Sequence, residues 1–161
     1  MIRKIKKDDF SELKKLLREF MIDYNKKKVL KGIQSDFMQY KDIDTYISKI
    51  AKEYCNEKSS SKALYVYEEN NRLLGYIYGE VRKNTDRTLS VVGCIEDRFV
   101  SEESRNKKIG TQLWDKMIKF FKSKHVQILK LEVFAQNKST YKLYKNMGFE
   151  VLDMTLLKRL K

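Results

Sequence analysis

The chain has 161 residues, of which 42% are hydrophobic and 12% aromatic, so it is long enough to bury a core and too apolar to be disordered. Its 35 lysines and arginines outnumber 22 acidic residues, and the formal charge of +13 favours anionic ligands. The basic residues occur in almost every segment, so charge alone gives little support to nucleic-acid binding. No apolar run approaches the length of a membrane span. We therefore expect a single domain over residues 1–161.

Two cysteines and one histidine limit the chemistry that the chain supports. Cys55 and Cys94 lack the spacing of a metal site, and reduced thiols are typical of the cytosol. The first residues lack the apolar core of a secretion signal. His125 alone builds neither a histidine-based metal site nor a Ser/His/Asp or Cys/His catalytic group. We therefore expect a cytoplasmic protein with no metal cofactor and no membrane partner.

The hydrophobic pattern changes along the chain between helical spacing and the period of two that is typical of strands. The predicted elements, in order, are a weak strand over residues 2–6, helices over 8–23 and 43–54, strands over 63–68, 72–82 and 88–100, a helix over 107–123, a strand over 126–134, a helix over 138–146, and strands over 149–153 and 154–160. The polar segment 24–40 is predicted to be irregular. A hairpin followed by alternating helices and strands implies a mixed sheet with helices on its faces.

A basic stretch opens the helix predicted over residues 107–123. It consists of Arg105, Asn106, Lys107, Lys108, Ile109, Gly110 and Thr111. The first turn of a helix has unpaired N–H groups and a partial positive charge, which stabilise a pyrophosphate. Gly110 lets a backbone approach closely. Taken alone, the stretch favours an ordinary basic helix start on a solvated surface.

A second block near the C-terminus has a more specific pattern. It is Asn-x-x-x-x-x-Leu-Tyr-x-x-x-Gly-Phe, running from Asn137 to Phe149. Outside this context, Asn137 is an ordinary helix N-cap and Tyr144 an ordinary core aromatic. The combination, directly after a predicted strand and across a short predicted helix, calls for an explanation beyond capping and packing.

The two blocks together resemble the signature motifs of the GNAT superfamily of N-acetyltransferases. The family's phosphate loop is Gln/Arg-x-x-Gly-x-Gly/Ala, and Lys108 stands where its first glycine is expected. That lysine is either forced into a right-handed conformation or costs roughly 1 kcal/mol of left-handed strain. The family's second block, Asn-x-x-Ala-x-x-Leu-Tyr-x-x-x-Gly-Phe, differs here only at Thr140. The resemblance covers essentially the whole chain and implies an α/β (α+β) fold, with a mixed, mostly antiparallel central sheet flanked by helices on both faces.

The resemblance also implies an activity. It is the transfer of an acetyl group from acetyl-CoA to a primary amine, by direct attack in a ternary complex. Asn137 would then bond the pantetheine arm, and Tyr144 would donate its phenolic hydrogen near the departing thiolate. The backbone of Phe99 and Val100 would pair with the pantetheine. The implied cofactor-binding residues are Phe99, Val100, Arg105, Asn106, Lys107, Lys108, Ile109, Gly110, Thr111, Asn137, Tyr141 and Tyr144.

An amine nucleophile must lose a proton, which calls for a carboxylate acting directly or through water. Glu96 and Asp97 lie late in the strand before the phosphate loop, and strand alternation sends them to opposite faces unless a bulge intervenes. The Glu-Asp-x-x-Val stretch resembles polyamine and some aminoglycoside acetyltransferases, which makes Glu96 the first candidate base and Asp97 the second. The competing interpretation is a strand-edge carboxylate paired with Arg98 or Lys83.

Three residues on one face of the strand 72–82, Tyr76, Tyr78 and Glu80, suit a cationic acceptor. Together with Glu96, Tyr78 and Glu80 are the predicted substrate-binding residues. The competing interpretation is a half-buried strand packed on the first helices. Diamines, polyamines, aminoglycosides, amino acids and protein amines all remain open as acceptors.

Two other functions remain alternatives. One is a GNAT-like domain that binds CoA without turnover, which measured turnover would exclude. The other, less favoured, is a basic nucleic-acid-binding protein, which steeply salt-dependent binding to DNA or RNA would support. A homodimer is left open.

Overall fold

The structure is a computed structural model that describes residues 1–26 and 30–160. The elements, in chain order, are β1 (Ile2–Lys4), α1 (Phe10–Lys26), α2 (Ile33–Phe37), α3 (Ile43–Asn56), β2 (Lys62–Glu69), β3 (Arg72–Lys83), β4 (Val91–Val100), α4 (Ile109–Ser123), β5 (Ile128–Leu131) and α5 (Lys138–Asn146). Among the helices of the described residues, none combines the length and the apolar character that crossing a bilayer requires.

The five strands form one sheet in the order β1-β2-β3-β4-β5. The first three pairings are antiparallel and the last, between β4 and β5, is parallel. The predicted hairpin is confirmed: Asn70 and Asn71 join β2 to β3 with φ of 50° and 60°, the positive values that a tight, mirror-image hairpin turn requires. The predicted mixed, mostly antiparallel sheet is therefore confirmed.

Helices cover both faces of this sheet, because side chains alternate along its central strands. On β3, Tyr76 and Tyr78 pack in a cluster with Leu13 of α1 and Ile47 of α3. Ile77, between the two tyrosines, belongs instead to the cluster that α4 forms on the opposite face. The predicted helical layers on both faces are confirmed, and the cavity described below lies on the α1 and α3 side.

Several predicted elements differ from the structure. The short helix α2 lies within the segment predicted to be irregular, of which residues 27–29 lie outside the described residues. Strand β5 covers only part of the predicted strand 126–134. The two final strands, over 149–153 and 154–160, are wrong, because residues 149–160 have no regular secondary structure. Apolar alternation shows which side chains would share a face, but a strand forms only where another strand's edge accepts its hydrogen bonds.

The pairing of β4 differs on its two sides. Its pairing with β3 continues to Val100, whereas its pairing with β5 ends where Ile95 meets Leu131. The β5-facing edge of β4 from Glu96 to Val100 therefore has no strand partner among the described residues. The chain then makes a short 3₁₀ turn over Glu102–Ser104 and enters α4. This arrangement leaves an open backbone edge beside the first turn of a helix.

Candidate active site

A β-bulge in β4 determines where the two candidate carboxylates point. In the β3–β4 register, Asp97 pairs with Tyr78 and Ile95 pairs with Gly79, so Glu96 is the extra residue. An extra residue interrupts strict alternation. The predicted exception to opposite facing, an intervening bulge, is therefore present, and both carboxylates line one cavity.

That cavity has a volume of about 350 Å³ and lies between the sheet and the helices α1 and α3. The predicted substrate-binding residues Tyr78, Glu80 and Glu96 all line it. Its wall also contains Tyr40, the last residue of the segment 24–40 that the family resemblance predicts to border the acceptor site, and two tyrosines of α3 that the sequence interpretation did not assign to a site, Tyr46 and Tyr54. Within the described part of the chain, its charged lining residues are Glu80, Arg82, Glu96 and Asp97.

The tyrosines form two ring pairs. Tyr40 stacks on Tyr46 with ring centroids 4.0 Å apart, and Tyr54 lies 4.5 Å from Tyr78. Tyr46 and Tyr54 belong to the apolar stripe of α3, which faces the sheet. That stripe gave a signal for burial, but only the packing of α3 against β3 shows that its tyrosines border a cavity.

Asp97 lies at the deep side of the cavity. The Tyr76 hydroxyl donates a hydrogen bond to Asp97 Oδ2 at 2.5 Å. Burial raises the pKa of Asp97 to about 6, although bonds from Tyr76 and the Arg98 backbone N–H oppose the rise. A carboxylate with this pKa is ionised at neutral pH and is more basic than an ordinary aspartate. It therefore suits the removal of a proton from a bound ligand.

Glu96 has a different environment at the cavity rim. Its Oε1 lies 2.9 Å from Arg82 Nη2, and the same guanidinium also bonds Glu80. The sequence interpretation named Arg98 or Lys83 as an alternative partner of the strand-edge carboxylate, and for Glu96 that pairing is wrong. The bulge directs Glu96 toward the β3 face that presents Arg82, whereas the Arg98 guanidinium lies on the α4 side of the sheet.

The predicted phosphate loop has a left-handed backbone at two non-glycine positions. Lys108, the N-cap of α4, has φ 59° and ψ 12°, and Asn106 has φ 66°. Of the two conformations open to Lys108, the structure adopts the left-handed one. Its side chain makes no capping hydrogen bond, and Lys107 and Thr111 beside it are exposed. The first-turn N–H groups of α4 are thus available to an anion.

Arg105, the first residue of the loop motif, contacts α1. Its Nη2 lies 2.9 Å from Asp23 Oδ1, and its guanidinium lies 5.8 Å from the centre of the Phe99 ring. These contacts fix the loop against the C-terminal part of α1, beside the open edge of β4. A direct role of Arg105 in cofactor binding stays a prediction.

Tyr144 lies in an aromatic cluster between α4 and α5. Its ring centroid is 6.0 Å from that of Trp114 and 5.4 Å from that of Phe149, and the residue is only 8% exposed. Burial raises the pKa of its phenol, which therefore keeps its proton at neutral pH. The Arg98 guanidinium, which the sequence interpretation did not assign to the site, lies 5.8 Å from the Trp114 ring centre.

Asn137 caps α5, as the simpler interpretation of the sequence predicted. Its Oδ1 accepts hydrogen bonds from the Thr140 N–H at 3.3 Å and the Ser139 hydroxyl at 3.2 Å. The side-chain oxygen is therefore engaged, and the amide Nδ2 is the group that suits a ligand's acceptor. Tyr141, one turn into α5, is 44% exposed.

Two buried hydroxyls lack a hydrogen-bond partner among the described residues: Tyr24 Oη and Ser101 Oγ. Ser101 directly follows β4 at the open edge. Tyr24 packs on Phe134, which follows β5, with ring centroids 5.6 Å apart. A buried hydroxyl without a partner costs about 1–3 kcal/mol. The region where β4 and β5 cease to pair therefore fits a ligand with hydrogen-bonding groups along its length.

Residues 17–149 match the model of the acetyltransferase (GNAT) family. This chain belongs to that family. The matched region begins in α1 and ends at the last residue of the second block, so it includes the open edge of β4, the basic loop and the cavity.

Individual relatives are more distant. An uncharacterised N-acetyltransferase of Methanocaldococcus jannaschii is 28% identical over 137 residues, which cover 79% of this chain and 61% of that protein. The chain thus spans less than two thirds of the length of that relative. The BH1408 protein of Bacillus halodurans, as a tetramutant, has a TM-score of 0.79 and 16% identity over 99% of each chain.

A second solved structure that resembles this chain contains CoA. It is the aminoglycoside N-acetyltransferase AAC(6′)-Iy in complex with CoA, with a TM-score of 0.66 and 15% identity over 100% of this chain and 99% of that one. At such identities the two structural similarities show the fold alone.

Proposed function

We propose that this protein is an acetyl-CoA-dependent N-acetyltransferase that acetylates a primary amine within a ternary complex. One observation carries the proposal. The unpaired edge of β4, from Glu96 to Val100, has the uncapped first turn of α4 on one side and an acidic, aromatic cavity on the other. A polyanionic cofactor suits the first environment and an amine suits the second.

The residues around the open edge fit acetyl-CoA, which supplies an acetyl group activated as a thioester. The first-turn N–H groups of α4, with Lys107 and Lys108, would hold the pyrophosphate. The backbone of Phe99 and Val100 and the amide of Asn137 would hold the pantetheine arm. The family membership and the CoA bound to the aminoglycoside acetyltransferase of the same fold support this assignment.

Asp97 is the proposed general base, in preference to Glu96. Glu96 is ion-paired with Arg82 at the rim, whereas Asp97 lies deep in the cavity with a pKa of about 6. The hydrogen bond from Tyr76 fixes the carboxylate orientation. As the amine nitrogen forms its new bond to carbon, its N–H becomes acidic, and Asp97 accepts that proton.

Tyr144 is the proposed proton donor to the leaving thiolate. The raised pKa of its buried phenol keeps the hydroxyl protonated at neutral pH. The aromatic rings of Trp114 and Phe149 hold its ring in place, so the hydroxyl needs no reorganisation when charge develops on the sulfur.

Calorimetric titration of acetyl-CoA into the protein tests the cofactor site. Its matched variants are Gly110→Asp and Gly110→Asn. A Cβ at Gly110 would meet Arg98 Nη2 at 3.6 Å and Val100 at 3.7 Å, which are ordinary contacts, and the aspartate and asparagine side chains have nearly the same size. Only aspartate adds negative charge where the phosphates would bind. We expect acetyl-CoA affinity to fall about tenfold or more in Gly110→Asp relative to Gly110→Asn.

Release of free CoA thiol in the presence of primary amines tests the reaction itself. We expect amine-dependent thiol release that is lost in Asp97→Asn. No acetyl-CoA binding at millimolar cofactor would overturn the proposal. Binding without thiol release for any amine would favour the non-catalytic CoA-binding alternative.

A further inference from the structure

We propose that the acceptor is a compact amine with a second positive charge, and that Glu80 and Glu96 bind this charge at the position of the Arg82 guanidinium. The inference rests on the proposed function, because it names the class of amine that the cavity takes. Three independent features support it: the local charge, the position of Arg82, and the aromatic walls.

The charge of the cavity is opposite to that of the chain. The protein carries a formal +13, yet within residues 1–26 and 30–160 the charged groups that line the cavity are three carboxylates and one guanidinium. The carboxylates belong to Glu80, Glu96 and Asp97, and the guanidinium to Arg82. With all four groups ionised, the lining is net negative. A net negative cavity in a basic protein concentrates cations where the rest of the surface repels them.

Arg82 shows that two of these carboxylates bind one cation together. Its Nη2 lies 2.9 Å from Glu96 Oε1, and its Nε donates to Glu80. The Arg82 side chain is 53% exposed, so it leaves for solvent at little cost. Lys62 also pairs with Glu80, with its Nζ at 3.8 Å, but it lies nearer to Glu57, at 3.2 Å, and is not among the described residues that line the cavity. An ammonium group of the acceptor can therefore take the place of the guanidinium.

The walls and size of the cavity favour a small organic cation. The stacked Tyr40 and Tyr46 and the neighbouring Tyr54 and Tyr78 present aromatic rings, whose faces attract ammonium groups. The volume of about 350 Å³ lies near the lower end of ligand cavities, which start at about 300 Å³. An amine of a protein is therefore a poorer match to this cavity than a short, free amine.

The order of residues along β3 separates the reacting end from the second charge. Tyr78 pairs with Asp97, the proposed base, and Glu80 lies on the same face two residues closer to the rim. Two residues of a strand span roughly 6.6 Å. A short alkyl chain bridges that distance, with one amine at Asp97 and the other between Glu80 and Glu96.

The test compares two probes of equal length, 1,4-diaminobutane and 1-aminopentane, of which only the first has a second ammonium. The measured quantity is kcat/KM for each amine at saturating acetyl-CoA. Charged hydrogen bonds correspond to a factor of roughly 10 to 100 in binding. We expect the wild-type protein to favour 1,4-diaminobutane by at least about tenfold.

Three variants sharpen the test. Glu80→Gln is expected to lower the ratio of kcat/KM for 1,4-diaminobutane to kcat/KM for 1-aminopentane about tenfold, mainly through a higher KM for the diamine. Arg82→Gln is expected to raise this ratio, because it removes the cation that competes with the second ammonium of the diamine. Glu12→Gln, which removes the same charge from a surface pair with Lys15 on α1, is expected to leave the ratio unchanged.

A second readout is independent of turnover: calorimetric binding of 1,4-diaminobutane to the protein without acetyl-CoA, with and without Glu80→Gln. Equal kcat/KM for the two probes, or an equal loss for both in Arg82→Gln, would overturn the inference while the proposed function stands. If neither amine is acetylated, the result counts against the proposed function. The calorimetric binding of 1,4-diaminobutane then tests whether the cavity binds a dication. Diamine binding weakened by Glu80→Gln supports the inference, and no binding overturns it.

Discussion

The proposed cofactor side and the proposed acceptor side of the candidate active site are built in different ways. The cofactor side uses two continuous segments, residues 105–111 and 137–149, and much of what it offers a ligand is backbone. The acceptor side uses side chains from α1, α3, β3 and β4, which meet only in the folded protein. A site made of backbone tolerates changes of side chain, whereas a site made of side chains depends on each of them.

The two sides also differ in charge. The loop before α4 carries Arg105, Lys107 and Lys108, and the cavity carries three carboxylates against Arg82. The formal charge of +13 is a sum over the whole chain, so it describes neither the charge of the loop nor the charge of the cavity. We therefore expect substitutions in the cavity to have larger effects than substitutions in the loop, and the following predictions run from the largest effect to the smallest.

Asp97→Asn is expected to have the largest effect. Loss of a general base lowers kcat by about 100-fold or more, with acetyl-CoA affinity unchanged. In the wild type, kcat/KM is expected to fall as the pH drops through about 6, because protonated Asp97 cannot accept a proton. A pH–rate profile checks this, and Asp97→Asn removes the dependence.

Tyr76→Phe is the matched control for that profile. The Tyr76 hydrogen bond lowers the Asp97 pKa, so its loss is expected to move the midpoint of the profile to higher pH. An unchanged midpoint in Tyr76→Phe, or a profile that persists in Asp97→Asn, would assign the base elsewhere.

The same aspartate is expected to reduce stability. Its pKa is raised from 3.8 in the unfolded chain to about 6, so its contribution to stability is present at low pH and lost as the pH rises through about 6. Above that pH the buried carboxylate is ionised at a cost. Asp97→Asn should therefore raise the free energy of unfolding by on the order of 2 kcal/mol at about pH 8 and by little at about pH 4. Urea unfolding at both pH values measures it, and a less stable variant at the higher pH contradicts it.

Tyr144→Phe tests the proposed role of the Tyr144 hydroxyl as proton donor to the leaving thiolate. We expect kcat to fall about tenfold. Acetyl-CoA affinity should stay unchanged, because a phenyl ring keeps the packing on Trp114 and Phe149. Tyr67→Phe on β2 makes the same substitution outside the site. Equal kcat values for Tyr144→Phe and wild type would show that the thiolate leaves without the phenol.

Lys108→Gly is expected to have the smallest effect. Glycine adopts the observed φ of 59° freely, so the free energy of unfolding should rise by up to about 1 kcal/mol. Acetyl-CoA affinity should change by less than about tenfold, because one exposed charge is worth little. Lys107→Gly is the control, since Lys107 is not left-handed and gains nothing. Equal stability changes in both variants would exclude strain at Lys108.

Much of the cofactor side could be predicted because its signals are local. The start of α4 near Lys108, the α5 helix capped by Asn137 and the β2–β3 hairpin follow from residues close together in the chain. For the acceptor side, the sequence showed acidic and aromatic residues on the strands and helices, but not which of them meet in one cavity. The tyrosines of α3 gave a burial signal, and nothing near them in the sequence indicated that they face Tyr78.

The sequence by itself determined the order of most elements, the family and the residues of both signature blocks, because helix caps, turns and amphipathic stripes depend on neighbours along the chain. The tertiary structure alone decided the bulge that turns Glu96 and Asp97 into one cavity, the pairing of Glu96 with Arg82, and the unpaired edge of β4. It also decided that residues 149–160, despite their apolar alternation, form no strand. Strand register and edge pairing depend on which distant segments meet, and that depends on packing of the whole sheet.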